Sequence, residues 1–141
     1  MSKIINNLYV GDHTSPSQVS PTQMSCSLIV NCTRDLPTNS LGITELRVPV
    51  DDTSDESDEM LKYLPWITFQ IHQVWSNGGT VLIHCFAGVS RSATVCAAYL
   101  MRYHGFLSVQ ETVRFMRTKR PIVFGNAHFK DALEKFNLMY H

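Results

Sequence analysis

One stretch decides what this chain can fold into: Thr80-Val81-Leu82-Ile83-His84-Cys85-Phe86-Ala87-Gly88-Val89-Ser90-Arg91-Ser92. Thr80 to His84 is a short β-branched and aliphatic run after the turn-forming Asn77-Gly78-Gly79, and it reads as a buried strand. From Arg91 to Tyr103 nearly every residue is apolar or small, which reads as a buried helix. Five residues separate Cys85 from Arg91 in the connection. A loop that curls over a helix N-terminus turns several backbone N–H groups inward, at the positive end of the helix dipole, and so makes an anion site. The loop residues Phe86, Ala87, Gly88, Val89 and Ser90 supply those amides, and Gly88 lets the backbone turn where a side chain would clash. Arg91 adds a planar, two-pronged donor that matches two phosphate oxygens. Cys85 lies at the floor of the same cradle, where the field that binds a dianion also favours a thiolate. A thiolate held under phosphorus and opposite the leaving group is a nucleophile for in-line displacement.

His84-Cys85-Phe86-Ala87-Gly88-Val89-Ser90-Arg91-Ser92-Ala93-Thr94 resembles the phosphatase loop of the cysteine-dependent protein phosphatases, and its Ala-Gly-Val-Ser-Arg-Ser portion is most similar to the dual-specificity branch. A bare Cys-x5-Arg is a weak signal. Here it is joined by His before Cys, Gly third after it, Ser after Arg, a strand in front and a helix behind. The resemblance spans the chain from about Ile4 to the last helix, and it implies a protein tyrosine phosphatase-like fold and a phosphoprotein substrate.

The 141 residues read as a single catalytic domain, 1–141. Lysine plus arginine equals aspartate plus glutamate, at 12 each, so no global field favours nucleic acid or a membrane surface. No stretch is long and apolar enough to span a bilayer. The N-terminus lacks a signal-peptide core, and Ser2 stands where myristoylation needs glycine. The four cysteines, Cys26, Cys32, Cys85 and Cys96, are unevenly spaced and form no zinc pattern. They read as thiols of a reducing compartment, so the expectation is a cytoplasmic protein, open also to the nucleus, and not secreted. No cofactor or metal is called for, and a monomer is favoured.

Along the chain, Ile4 to Val10 reads as one strand or a pair ending at Gly11. Ser15 to Ser25, with Pro16 and Pro21, is at most a short helix. Ser27 to Cys32 and Ile43 to Val50 read as strands, with a loop between them. Leu64, Ile67, Ile71 and Val74 form a helical stripe, with Pro65 fitting only in a first turn. Ser108 and Glu111 make a capping box for a helix reaching Arg120 and stopped by Pro121. Asn126 is placed to cap the last helix, where Phe129, Leu133 and Phe136 share a face. This order predicts an α/β fold: a central, mostly parallel sheet flanked by helices, with the cysteine loop at a strand's C-terminal end.

Displacing an alkoxide or phenoxide needs a proton donor above the cradle. Val48-Pro49-Val50-Asp51-Asp52 resembles the family segment that carries the acid third after proline, which selects Asp52, with Asp51 as the alternative. Ser92 can donate to the Cys85 sulfur when the thiol leaves in the second step. His84, next to Cys85 on a strand, points to the opposite face and reads as a buried, orienting histidine rather than a base. The segment Arg120 to Asn126 resembles one that buttresses the phosphatase loop, although Gly125 stands where the family often has proline. Arg114, Arg117, Lys119 and Arg120 read as a solvated helix face. Cys32 resembles in placement a cysteine of the regenerating-liver phosphatases that can pair with the nucleophile, which makes it a candidate redox partner of Cys85.

Three other readings keep parts of this pattern. An inactive phospho-binding module is disfavoured because Cys85, Arg91 and a candidate acid are all present. Phosphoinositide and RNA 5′-phosphatases generally carry basic residues inside the loop, whereas Phe86, Ala87, Val89 and Ser90 are neutral. Sulfur transfer uses a loop one residue shorter.

Overall fold

The computed structural model describes residues 1–19 and 25–141. Its strands are β1 (Ser2–Ile5), β2 (Leu8–Gly11), β3 (Cys26–Asn31), β4 (Glu45–Arg47) and β5 (Thr80–His84). Its helices are α1 (Ser57–Trp75), α2 (Arg91–Tyr103), α3 (Val109–Lys119) and α4 (Lys130–Tyr140), with 3-10 turns at Ser15–Gln18 and Ser54–Glu56. The rest of the expected short helix beyond Val19 lies partly outside the described residues.

The hydrophobic run before the cysteine takes the middle of the sheet. Strand order is β1-β2-β5-β3-β4. β1 and β2 form an antiparallel hairpin, turning at Asn7 with φ 65°, and every other pairing is parallel. In register, Gly11 and Asn31 both stand opposite His84. The C-terminal ends of β2, β3 and β5 are therefore level, and the chain leaves β5 into the loop at the position where open parallel sheets place their ligands.

Alternation along β5 sorts the core. Val81, Ile83 and Cys85 join the large cluster with Val10, Val30, Cys32 and the apolar faces of all four helices. Leu82 turns to the other side, where Ile29 and Val19 complete a small cluster. Helix α2 is buried along nearly its whole length, from Ser92 to Met101, which explains why its sequence shows no polar face.

Four local expectations are corrected. Helix α1 begins at Ser57, more than two turns before Pro65, which sits inside the helix rather than in its first turn. Pro65 cannot donate to the preceding turn. Its carbonyl is taken up by Arg102 Nη1 at 2.8 Å, and Thr68 Oγ1 bonds the Leu64 carbonyl at 2.6 Å. The strand expected over Ile43 to Val50 shrinks to Glu45–Arg47. Asn39 holds the residues before it, donating to the Ile43 carbonyl at 3.0 Å, and Pro49 has no N–H for a ladder. Asn126 does not cap the last helix: α4 starts after Phe129, and its start has no side-chain cap. Ser108 does cap α3, accepting from Glu111 N–H at 3.0 Å, but the Glu111 carboxylate reaches Leu107 N–H rather than closing the box on Ser108.

Candidate active site

The loop from Cys85 to Arg91 is built by tying its carbonyls outward. The Phe86 carbonyl accepts from His13 N–H at 2.9 Å, and the His13 ring stacks on the Phe86 ring at 4.5 Å. The Gly88 carbonyl accepts from Arg120 Nε at 2.8 Å. The Val89 carbonyl accepts from Phe124 N–H at 2.8 Å, and the Ser90 carbonyl from Thr94 N–H at 2.9 Å and Thr94 Oγ1 at 2.8 Å. With the carbonyls held outside, the amides face the concave side. Gly88 N–H points at the Cys85 sulfur, 3.3 Å away. Such a row of inward N–H groups over a helix N-terminus is an anion nest.

Gly88 is required by both backbone and space. Its φ is +68°, and a Cβ there would lie 2.5 Å from Arg120 Nη2 and 2.7 Å from the Gly11 carbonyl oxygen.

Cys85 is 2% exposed at the floor of the loop. Ser92 Oγ, on the first turn of α2, lies 3.2 Å from its sulfur. Arg91 is half-buried, and its Nη1 donates to the Val50 carbonyl at 2.9 Å. Its buried Nε has no acceptor among the described residues. That bond ties the end of the loop to the residue just before Asp51-Asp52.

The two candidate acids separate in space. Asp51 is engaged by Arg34 Nε at 3.2 Å. Asp52 Oδ1 instead lies 2.9 Å from His128 Nδ1. His84 is brought to the back of the site and not into it. It is 2% exposed, neither ring nitrogen has a partner among the described residues, and burial holds its imidazole below the usual range, hence neutral.

Asn126 Oδ1 accepts the Ser90 hydroxyl at 3.2 Å, so it touches the cradle itself. Cys32 N–H donates to the His84 carbonyl at 2.8 Å, which sets Cys32 beside Cys85 across the ends of β3 and β5. Burial, with Cys85 next to it, pushes the Cys32 thiol well above its ordinary range. Burial pushes Cys96 up as well.

Arg120 reads both as part of a solvated face and as the first residue of the segment that resembles the loop buttress; it donates to the Gly88 carbonyl and also to Ser2 Oγ at 3.0 Å. Three further contributors carry no sequence signal. Arg117, from the same face, donates to the Val123 and Phe124 carbonyls at 3.2 and 3.0 Å. His13 and His128 carried no signal either, because each acts on a partner far away in the chain.

A buried cysteine on the floor of a loop of backbone amides, an arginine at the end of that loop and two aspartates just beyond the carbonyl this arginine holds form the pattern of a cysteine-dependent phosphatase. A family model described as "Dual specificity phosphatase, catalytic domain" matches residues 8–138. The chain belongs to that family: it is a dual-specificity protein phosphatase domain, a phosphoric monoester hydrolase. Protein 123R of Invertebrate iridescent virus 6, which carries a tyrosine phosphatase name, is 38% identical over 135 residues, covering 96% of this chain and 90% of that protein. Mouse dual specificity protein phosphatase 15 is 34% identical over 140 residues, covering 96% of this chain but 57% of its own length. The crystal structure of human DUSP28 superimposes with a TM-score of 0.89 at 29% identity, covering 99% of this chain and 96% of that one.

Proposed function

We propose that this protein hydrolyses phosphotyrosine and phosphoserine or phosphothreonine on protein substrates through a cysteinyl-phosphate intermediate, with Cys85, Arg91, Asp52 and Ser92 in the reacting positions. The observation that carries this reading is the outward tethering of the loop carbonyls, which leaves the amides free for phosphate oxygens directly over the Cys85 sulfur. Arg91 Nε and the loop amides take the equatorial oxygens as the sulfur attacks phosphorus. Asp52 gives its proton to the departing oxygen, then takes one from the water that hydrolyses the intermediate. Ser92, at 3.2 Å, donates to the sulfur as it leaves. The neutral side chains of Phe86, Ala87, Val89 and Ser90 favour one phosphate on a protein over polyphosphate or inositol substrates. The test is hydrolysis of phosphotyrosyl and phosphoseryl/threonyl peptides beside a phosphoinositide and a 5′-triphosphorylated RNA. Turnover confined to the lipid or the RNA would reject the reading.

Asp52→Asn is expected to slow poor leaving groups by about 10²-fold and to spare activated aryl phosphates. Asp51→Asn should leave both rates unchanged, since Asp51 is engaged by Arg34 at 3.2 Å. The reverse pattern would move the acid by one residue.

The placement of Cys32 supports a redox role. Adjacent strands lie about 5 Å apart, within the roughly 7 Å of Cα separation a disulfide spans. Peroxide converts the Cys85 thiolate to sulfenic acid, and condensation with the Cys32 thiol releases water and leaves a disulfide that thiols reduce. Wild-type protein treated with excess peroxide should recover most of its activity with dithiothreitol, whereas in Cys32→Ser a second peroxide carries the sulfenic acid on to sulfinic acid and little activity should return. Equal recovery would remove Cys32 from the scheme. The cysteines are all free, which supports residence in a reducing compartment, cytoplasmic or nuclear, and cell fractionation tests it. The charge balance supports a domain that binds neither nucleic acid nor membrane, which vesicle and RNA pull-downs test; a monomer is the expected state, and light scattering tests it. No helix among the described residues is long and apolar enough to cross a membrane.

A further inference from the structure

Asp52 has a partner of its own at the rim of the cradle. Its Oδ1 lies 2.9 Å from Nδ1 of His128, with the two side chains 35% and 34% exposed. His128 belongs to the segment between α3 and α4, and its backbone N–H donates to Asn126 Oδ1 at 3.1 Å. That same oxygen accepts the Ser90 hydroxyl at 3.2 Å. A continuous run of hydrogen bonds therefore leads from the cradle, through Asn126 and His128, to Asp52. Arg114, Lys130 and Glu134 line the cavity that Ser90, Asn126 and Ala127 share, and several other charges are engaged elsewhere. Asp51 and Glu56 share Arg34, Asp58 and Asp131 share Lys135, and Arg91 donates to the Val50 carbonyl. Among the described residues His128 is the side chain bonded to the Asp52 carboxyl group.

We propose that His128 is a positioning residue for the hydrolysis, holding Asp52 with one carboxyl oxygen free to carry the transferable proton; the proposal rests on the reading of Asp52 as the acid. With a proton on Nδ1, the imidazole donates to Oδ1 and leaves Oδ2 for the substrate. In the first step the sulfur lone pair forms the S–P bond. The P–O bonding pair goes to the leaving oxygen, and the Oδ2 proton follows it. The carboxylate that results still accepts from Nδ1, so it stays in place. In the second step Oδ2 takes a proton from the attacking water as the water oxygen bonds to phosphorus. The S–P bond breaks and its electron pair returns to Cys85. His128 keeps its own proton throughout and touches neither the substrate nor the reacting atoms. Its contribution is orientation, and a donor that has swung away costs rate only when the leaving oxygen needs a proton.

The experiment measures kcat and KM on phenyl phosphate, a poor leaving group, and on an activated fluorinated aryl phosphate. The variants are Asp52→Asn, His128→Ala, His128→Asn, His128→Gln and Asp52→Asn/His128→Ala. Asparagine can place an N–H close to the position of Nδ1, whereas glutamine reaches past it. The expected result is a kcat on phenyl phosphate about tenfold lower for His128→Ala and His128→Gln, with KM and the activated substrate within about twofold of wild type, and recovery in His128→Asn. In the Asp52→Asn background His128→Ala should cost nothing more, because two residues acting as one unit are not additive. Equal losses on both substrates, or a loss that persists in the Asp52→Asn background, would overturn the proposal. So would a wild-type rate on phenyl phosphate in the glutamine variant, which preserves bulk if the alanine variant fails to fold. Wild-type behaviour of Asp52→Asn itself would instead reject the acid assignment, and absence of any turnover in the wild type would reject the phosphatase reading.

Discussion

Replacing Cys85 with serine is expected to abolish turnover while leaving the fold and the anion site in place. The substitution changes one atom in a side chain that is 2% exposed, next to Ser92 Oγ at 3.2 Å, so packing and polarity around it barely alter. What is lost is a thiolate. A serine hydroxyl stays protonated near neutral pH, and no base within reach can activate it, since His84 faces the other side of the sheet and has no partner there. Removal of a covalent nucleophile from an enzyme costs on the order of 10⁴-fold or more in kcat. The amides of the cradle and Arg91 are untouched, so inorganic phosphate should bind Cys85→Ser within a few-fold of wild type by calorimetry. Residual turnover within about tenfold of wild type, roughly 1.4 kcal/mol of barrier, would remove Cys85 from the nucleophile's place.

Arg91→Lys is expected to lower kcat/KM by about 10²–10³-fold, the range for losing a preorganised donor to a developing charge. Lysine keeps the charge but not the planar pair of donors. Arginine here does two things with one group: Nη1 holds the Val50 carbonyl at 2.9 Å while Nε remains for the substrate. An ammonium cannot serve both directions in the same plane. KM and kcat should therefore both suffer, KM because the ground-state phosphate loses a donor and kcat because the Asp52 segment loses its anchor. Loss of one hydrogen bond, about 1 kcal/mol, should move the melting midpoint by only about 2–4 °C. An unchanged kcat/KM would show that Arg91 is peripheral.

The parts of this molecule that were readable in the sequence are those whose cause is local. The strand-loop-helix unit around Cys85 announces itself because hydrophobic run, glycine and buried helix are contiguous, and the parallel sheet follows from the alternation of strands and helices. Pro65 reads as a first-turn residue because it brings no N–H to a helix, yet α1 runs through it, packed so that Arg102 from α2 donates to the Pro65 carbonyl. Asn126 reads equally as a helix cap and as part of the loop buttress, and its side chain goes to Ser90 in the loop, 36 residues away in the chain. For Arg120 the resemblance to a loop-buttressing segment and the pattern of a solvated face point different ways, and its bond to the Gly88 carbonyl follows the first. The His128 contact with Asp52 spans 76 residues. Periodicity and turn chemistry have no access to such contacts, since they are created only when α3 and α4 close against the sheet.

The outward tethers of the cradle come from His13, Thr94, Arg120 and Phe124, from nearly one end of the chain to the other. No partly folded intermediate can assemble all of them, so catalytic competence should appear only with the last cooperative step of folding. Activity then becomes a probe of the global transition: in a urea titration its loss should coincide with the loss of helical circular dichroism, with one midpoint and one slope.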